Sequence, residues 1–197
     1  MDQNKTNVPH VTQETKSTQN LWRLRSHLTG ALVHTKSVNG KVVFAFFDLM
    51  QWPHDSNLTI AVLNLVLVTL QQAIFDHPLP PVLYVQLDNT ARENKNKYVF
   101  SYLALLVQLK IFKKIRVNFL PVGNTHEDVD QFFSKVSTQL KRLGTETISD
   151  LHSVTEQSFT PEPITAQIQA IHDVRSWLIP HIEDLHGHSQ PHAFGSP

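Results

Sequence analysis

Apolar residues that alternate with polar ones, or that run together, predict four β-strands in this chain. The runs are Leu28–Thr35, Lys41–Asp48, Val82–Leu87 and Lys114–Val122. The first two runs are joined by Ser37-Val38-Asn39-Gly40, whose Asn-Gly pair tolerates the positive φ angles of a tight turn. These two strands are therefore predicted to form an antiparallel hairpin.

Apolar residues at helical spacing predict four α-helices between and after these strands. Ser56 or Asn57 is the predicted cap of the first helix, and Gly144 is the predicted end of the third. The remaining stretches, which are the first twenty residues, the polar connection after Gly144 and the last dozen residues, are predicted to be irregular. The predicted helices run from the cap to about Phe75, Glu93–Leu109, Glu127–Leu143 and about Ile164–Leu178.

The predicted order of elements is hairpin, helix, strand, helix, strand, helix. Antiparallel strands followed by two strand–helix units indicate an α/β fold, with one mixed sheet and helices on both of its faces. A further strand is expected before the hairpin, and only Met1-Asp2 could be its stub. We predict a main domain at residues 1–150, with its first strand truncated, and a helical extension with a His-rich tail at residues 151–197.

Composition and charge narrow the class of protein. The chain of 197 residues is 41% hydrophobic and 17% charged, which is typical of a globular protein. Its 17 basic and 17 acidic residues cancel, so a nucleic acid could be bound only through local patches. There is no cysteine, which excludes disulfides and thiolate metal sites.

No segment of the sequence is suited to a membrane. The longest apolar run, Leu58–Leu70, is shorter than the roughly 20 residues that span a bilayer, and it contains Thr59, Asn64 and Thr69. The first residues lack the apolar centre of a secretory signal. We therefore expect a soluble, intracellular protein that does not bind a membrane.

Acidic residues follow two of the predicted strands at the point where a helix should begin. Asp88 comes directly after Val82–Leu87, and the cluster His126-Glu127-Asp128-Val129-Asp130 follows the next strand. A carboxylate at a strand's carboxyl end, beside a helix N-terminus and basic side chains, is the usual layout of a phosphate or metal site in an α/β sheet. Two such junctions favour a metal-dependent site. Asp88 is equally suited to capping the helix together with Asn89, so both roles stay open.

Five blocks of the sequence stand out together with these acids: MDQNKTNVPH (1–10), QWPHDSN (51–57), DNTARENKNKY (88–98), GNTHEDVD (123–130) and GHSQPH (187–192). In this order they resemble the signature motifs of one eukaryotic family, which is known only as a domain of unknown function and is thought to derive from transposable elements. The order of strands, acids and helices also resembles the ribonuclease H-like fold of transposases, integrases and nucleases. The resemblance spans nearly the whole chain.

The chain departs from the family pattern at two places. Members of the family usually read Gly-His-Thr-His-Glu-Asp where this chain has Gly123-Asn124-Thr125-His126-Glu127-Asp128, so one imidazole is missing. The chain also begins at the first motif and lacks the apolar strand that should lead into Asp2. A fragment or a decayed copy of a mobile element would have this appearance.

The resemblance implies metal-dependent phosphoryl transfer of the kind catalysed by DDE transposases. Clustered carboxylates would hold Mg²⁺ or Mn²⁺, because these hard cations prefer oxygen ligands. Two ions about 4 Å apart would activate the attacking water or hydroxyl and stabilise the leaving oxygen. The implied ligands, which are also the implied catalytic residues, are Asp2, Asp88 and either Glu127 or Asp130. Asp2 enters this set only through the family motif.

Further residues could extend the site. Glu127 and Asp130 share a helical face, although acids in a first helical turn are also what the helix dipole favours. His126 lies four residues before Asp130, so the two could share a metal or act as an acid–base pair, while a lone His more often caps or hydrogen-bonds. Asp128 and Asp55 are accessory candidates, and a turn or capping role suits Asp55 better.

Basic residues close to Asp88 are candidates for nucleic-acid contact. Arg92, Lys95 and Lys97 fall in the first turns of the predicted helix, where cations oppose the dipole unless an anion lies near. Asp88 and Glu93 could be that anion, and so could a nucleic-acid phosphate. A solvated charged face is the simpler interpretation. Four residues would extend the patch: Lys110, Lys113, Lys114 and Arg116.

Two functions from different classes follow from these patterns. The first is a transposase- or integrase-like domain that processes nucleic acid in the nucleus, as a polynucleotidyl transferase or nuclease acting on DNA. The second is a catalytically inactive, domesticated or decayed descendant that serves as a binding module, which the Asn124 departure, the balanced charge and the truncated start favour. The histidines of the tail lack cysteine partners and a standard spacing, so they predict adventitious metal affinity and no structural zinc: His181, His186, His188 and His192.

Overall fold

The structure is a computed structural model that describes residues 2–7, 25–35, 40–74, 79–119, 128–143, 145–183 and 193–195. In this part of the chain no helix is long and apolar enough to cross a membrane. The strands are β1 (Asp2–Asn7), β2 (Arg25–His34), β3 (Lys41–Asp48), β4 (Val82–Leu87), β5 (Lys114–Phe119), β6 (Ile164–Gln167) and β7 (Ala193–Gly195). The α-helices are α1 (Ser56–Thr69), α2 (Lys97–Gln108), α3 (Asp128–Arg142), α4 (Ile148–Glu156) and α5 (Val174–Leu178). A π-helical turn, Leu70–Ile74, continues α1, and a 3₁₀ turn, Ile179–His181, continues α5.

The described strands form two mixed sheets, with the orders β1-β2-β3-β6 and β4-β5-β7. The prediction of a mixed α/β fold with an antiparallel hairpin and parallel strands is confirmed, because β2 and β3 are antiparallel and β4 and β5 are parallel. The sequence predicts one sheet, whereas the described strands form two. The ribonuclease H-like fold stays a prediction.

The strand β6 corrects the prediction of a helix that begins near Ile164. Residues Ile164–Gln167 pair in parallel with Phe44–Phe47 of β3, so that helical structure begins only at α5. The edge of β3 supplies hydrogen-bond partners that local spacing cannot reveal, and such tertiary pairing overrides a helical pattern. The pairing extends by one residue, since the backbone N–H of Ile168 donates to the carbonyl of Phe47 at 2.7 Å.

Two segments predicted to be irregular contain regular structure. Residues Asp2–Asn7 form β1, which runs antiparallel to β2 with Asp2 opposite Gly30. Near the other end of the chain, β7 runs antiparallel to β5. The predicted turn residues 36–39, the predicted helix end at Phe75 and the cap at Gly144 lie outside the described residues.

Helix α4 lies in the connection that was predicted to be irregular. It begins with a capping box, in which Oγ1 of Thr147 accepts the N–H of Asp150 at 3.1 Å and Oδ2 of Asp150 accepts the N–H of Thr147 at 2.8 Å. The Thr-x-x-Asp spacing is a sequence signal for a helix start. The hydrogen bonds from Thr147 and Glu146 lower the pKa of Asp150, so it stays ionised in this role.

The chain divides into two compact units, each assembled from two stretches of sequence. The first unit comprises residues 1–52 and 125–169, and the second comprises residues 53–124 and 170–197. The sequence instead predicts a main domain at residues 1–150 and an extension at residues 151–197, and that division stays a prediction.

The core of the first unit lies where α3 and α4 cover one face of the sheet β1-β2-β3-β6. Phe132 and Phe133 of α3 are buried against this face, and a Cβ added at Gly30 would lie 2.9 Å from Cζ of Phe133. Any other residue at this position of β2 would therefore force the Phe133 ring to move. Phe159 meets Phe132 edge to face, with ring centroids 5.8 Å apart, and closes the core.

The core of the second unit lies between the sheet β4-β5-β7 and helix α2. The side chains of Val85, Leu87, Val117 and Phe119 are buried on one face of the sheet. Phe100 of α2 packs edge to face on Phe119, with ring centroids 5.8 Å apart. This arrangement fixes the carboxyl ends of β4 and β5, where the candidate site begins.

Candidate functional site

Asp88 lies at the carboxyl end of β4, where the sequence predicts a ligand-binding carboxylate. Strand β4 pairs with β5 in parallel, with Val82 opposite Lys114 and Leu87 opposite Phe119, so both strands end at one edge of the sheet. The Asp88 side chain is half-buried, and its Oδ2 accepts a hydrogen bond from the hydroxyl of Thr90. The position at the carboxyl end of the strand thus agrees with the prediction, while the role as a metal ligand stays a prediction.

The segment between β4 and α2 is a closed loop, which corrects the prediction of a helix from Glu93. The backbone N–H groups of Asn94 and Lys95 donate to the carbonyl of Thr90 at 2.8 and 3.0 Å. Helix α2 begins only after Asn96, whose Oδ1 accepts the N–H groups of Tyr98 and Val99. Asn is among the best N-caps, and this side chain sets the start of the helix four residues later than apolar spacing suggests.

Two hydrogen bonds, one buried and one part-buried, hold this loop against the start of α1. Oγ1 of Thr59 donates to Oδ1 of Asn94 at 3.0 Å, and Oγ of Ser56 donates to Oδ1 of Asn96 at 2.9 Å. Asn94 is 1% exposed, so its amide is shielded from water and depends on this partner. The loop that carries Asp88 is therefore fixed to a helix as well as to the sheet.

The three predicted nucleic-acid contacts differ in exposure. Arg92 is exposed and Lys97 is half-buried, with its Nζ 5.6 Å from the ring centroid of Tyr98. Lys95 is 3% exposed and its Nζ lies 5.3 Å from the ring centroid of Phe119. This burial favours a structural cation–π role for Lys95. Arg92 and the half-buried Lys97 are therefore more accessible than Lys95, and contact with nucleic acid stays a prediction for all three.

Asp55 caps the start of α1, which is the role that the sequence favours for it over metal binding. The predicted caps of this helix were Ser56 and Asn57. Oδ1 of Asp55 accepts the N–H of Asn57 at 2.9 Å, and its Oδ2 accepts Nη1 of Arg175 at 2.6 Å. The side chain is almost fully buried. The hydrogen bond that Arg175 donates to Asp55 raises the pKa of Arg175, so the guanidinium stays charged. Both oxygens of Asp55 are occupied, which leaves little capacity for a metal.

The acids after β5 lie at the start of α3 in the first unit. Asp128 forms an ion pair with Lys41, with Oδ2 and Nζ 3.3 Å apart, and Asp130 is half-buried. Both are in the first turn, where the helix dipole favours negative charge. Glu127 and His126 lie outside the described residues.

The predicted metal ligands belong to different units of the chain. Asp2, in β1, and Asp130, in α3, belong to the first unit, and Asp88 belongs to the second. The structure describes only the backbone of Asp2. The convergence of these acids on a common ion therefore stays a prediction.

The sequence did not identify a buried imidazole–carboxylate pair in the first unit. Nδ1 of His27 lies 2.7 Å from Oδ2 of Asp48, and both side chains are fully buried. Oδ1 of Asp48 accepts the N–H of Met50 at 2.8 Å, and the hydroxyl of Ser26 donates to the Asp48 carbonyl at 3.2 Å. His27 and Asp48 are opposite each other across β2 and β3. Polar residues inside an otherwise apolar hairpin are the signal that could have revealed the pair.

A second imidazole of the first unit, that of His152 in α4, packs against the same sheet. The ring of His152 is 4.6 Å from that of Phe47, and its Nδ1 is 2.9 Å from Oγ1 of Thr165. The hydroxyl of Thr165 donates in turn to Oε1 of Glu156 at 2.5 Å. Burial lowers the pKa of His152, and the charge of Glu156 opposes that shift in part. The neutral imidazole is thus favoured in the folded protein.

Residues 16–196 match the family model described as Domain of unknown function (DUF7869). This match confirms the resemblance to a domain of unknown function, and Asp2 precedes the matched range. The transposable-element origin and the ribonuclease H-like core stay predictions. No curated protein and no solved structure matches the chain.

Proposed function

The chain belongs to the DUF7869 family of domains of unknown function, so we propose a function from the chain's own side chains. The proposed function is divalent-metal-dependent phosphoryl transfer on DNA, of the transposase or integrase type. Asp88 is the central metal ligand in this proposal. Asp2 and either Glu127 or Asp130 complete the set on a ribonuclease H-like core, and Mg²⁺ or Mn²⁺ is the cofactor. A nuclear location belongs to the same proposal.

The observation that carries the proposal is the fixed position of Asp88 at the carboxyl end of a parallel strand pair. Ligands of open α/β sheets bind at such ends, where loops from adjacent strands meet. The loop after β4 is held by the buried side chain of Asn94 and closed by two N–H groups on the Thr90 carbonyl. A metal site needs ligands on supports of this kind, since small displacements of a ligand lower affinity.

The hydrogen bonding of Asp88 supports a ligand role. Among the described residues, the bond that its carboxylate accepts comes from the Thr90 hydroxyl to Oδ2. A partner of this kind orients a carboxylate and leaves its second oxygen for a cation. An ion there would lower the pKa of a bound water and stabilise the leaving oxygen of a phosphodiester.

The test is cleavage of plasmid and oligonucleotide DNA by the full chain in Mg²⁺ or Mn²⁺. We expect Asp88→Ala to abolish metal-dependent nicking or strand transfer, because removal of a central ligand removes the ion. Glu183→Gln is the matched control, since it also removes one negative charge from an exposed position in the same unit. Cleavage at the unmodified rate in Asp88→Ala would refute the proposal.

An inactive binding module is the second candidate function. Asn124 stands where members of the family usually have His, and the balanced charge gives no general attraction to DNA. An absence of cleavage with either metal, together with binding of DNA in EDTA, would support this candidate over the first.

A further inference from the structure

One face of the strand pair β4-β5 is open to solvent. Parallel strands are usually covered on both faces and read as continuous apolar runs. Here exposed and buried residues alternate instead, so that Tyr84 and Gln86 of β4 and Arg116 and Asn118 of β5 are exposed. These four residues, called here the β4-β5 platform, occupy paired positions, with Tyr84 opposite Arg116 and Gln86 opposite Asn118.

The centre of the platform is an aromatic–guanidinium pair. The guanidinium carbon of Arg116 lies 5.7 Å from the ring centroid of Tyr84, within the range of a cation–π contact. Tyr84 is 66% exposed, which is more than any other large apolar or aromatic side chain of the described residues. An exposed aromatic next to a flat cation is a surface on which a planar ligand can stack.

The charge of the platform and its border is positive. Neither β4 nor β5 contains an acidic residue, whereas Arg116 lies on the platform and Lys114 begins the same strand. Lys110 and Lys113 are exposed in the turn that leads into β5. The partner that complements four cations around a stacking surface is a polyanion with planar groups.

We propose that the β4-β5 platform binds single-stranded nucleic acid. The ring of Tyr84 and the guanidinium plane of Arg116 stack with bases, which they can do for any sequence because every base has a π-face. Gln86 and Asn118 hydrogen-bond base edges, and the lysines of the border contact phosphates. The bases of a duplex are already stacked on each other, so an unpaired strand is the form that fits.

This inference goes beyond the proposed phosphoryl transfer, because binding on the platform needs neither Asp88 nor a metal. It can therefore be tested in EDTA, where cleavage is suppressed. Failure of one proposal leaves the other standing.

The experiment is fluorescence anisotropy with labelled oligo-dT, oligo-rU and a DNA duplex of equal length. For the full chain we expect tighter binding of the single strands than of the duplex. Tyr84→Ala should weaken single-strand binding about ten-fold, and Tyr84→Phe should retain it, because the ring is kept. Arg116→Gln should weaken it as well, because the guanidinium plane that stacks on a base is lost.

The matched control is Trp177→Ala, which removes another exposed aromatic, 55% exposed, from the same unit. Its binding should equal that of the unmodified chain, and circular dichroism checks the fold of every variant. Equal affinity for dT and rU would assign recognition to bases and phosphates, and a preference for rU would add the 2′-hydroxyl. Binding that is absent at low salt, that is unchanged in Tyr84→Ala, or that is lost equally in Tyr84→Phe would overturn the proposal.

Discussion

Asp48 and Asp88 both stand at the carboxyl end of a strand, yet the two carboxylates lie in opposite environments. Asp48 is fully buried and its two oxygens are occupied by His27 and the N–H of Met50. Asp88 is half-buried and accepts a hydrogen bond from the hydroxyl of Thr90. An acid after a strand therefore has a structural role when the acid and its hydrogen-bond partners are buried together. It is a candidate for chemistry when it is partly accessible and the loop that carries it is held in place by other residues.

The largest effect that would test this comparison is expected from Asp48→Ala. The change removes the carboxylate from two groups, the buried ring of His27 and the N–H of Met50, at a cost of about 1–3 kcal/mol for each buried polar group. The free energy of unfolding, measured in urea, should fall by that amount. Asp48→Asn is the control, because it retains an oxygen for the imidazole and should lose less. A loss below about 1 kcal/mol in Asp48→Ala would show that this carboxylate has no structural role.

A smaller loss is expected from Asn94→Ala, which removes the buried support of the Asp88 loop. The hydroxyl of Thr59, 3% exposed, would lose its acceptor at 3.0 Å and keep the longer bond, of 3.5 Å, to the carbonyl of Asp55. The loss of one hydrogen bond inside a protein costs about 0.5–1.5 kcal/mol, again measurable in urea. Asn118→Ala, at an exposed position in the same unit, should change stability by less than about 0.5 kcal/mol. Equal losses in the two variants would mean that the loop is not held by Asn94.

The pH dependence of stability should distinguish His152 from its neighbours in the first unit. Burial lowers the pKa of His152 below its ordinary value of 6.5. The unfolded chain then takes up the proton first, so stability is complete above pH 6.5 and is lost as the pH falls from there through the lower folded pKa. His152→Phe should remove this part of the acid sensitivity. Unfolding curves that depend on pH equally in both proteins would contradict the assignment.

The smallest change in stability is expected from Asp88→Asn. The amide can still accept the Thr90 hydroxyl and the side chain is half-buried, so unfolding should change by no more than about 0.5 kcal/mol. If Asp88 is a ligand, the same variant should lose the affinity for Mn²⁺ measured by titration calorimetry. Strong destabilisation would instead give Asp88 a structural role like that of Asp48.

Much of the strand framework could be predicted, because strand signals are local. Lys41–Asp48 and Val82–Leu87 match the predicted strands at both ends. The helix after Asp88 was placed too early, since the capping strength of Asn96 outweighs apolar spacing. Strand β6 was missed for another reason, because its hydrogen-bond partner, β3, lies more than a hundred residues earlier.

The sequence predicts where the candidate site lies along the chain better than it predicts the hydrogen bonds and burial around it. The place of Asp88 follows from the end of an apolar run, but the Thr59–Asn94 bond spans 35 residues and is invisible to any local pattern. The His27–Asp48 pair likewise joins residues 21 apart, across a hairpin that was predicted without its register. Register decides which polar side chains face each other, and turn geometry sets it.

The assembly of each unit from two stretches of sequence has a consequence for biosynthesis. The first unit needs residues 1–52 together with residues 125–169, and the whole inner stretch of the second unit is made between them. On the ribosome, β3 must therefore wait for β6 while more than a hundred intervening residues emerge. The edge of β3 that pairs with β6 is without this partner during that interval, and one cut cannot divide the chain into halves that each hold a whole unit.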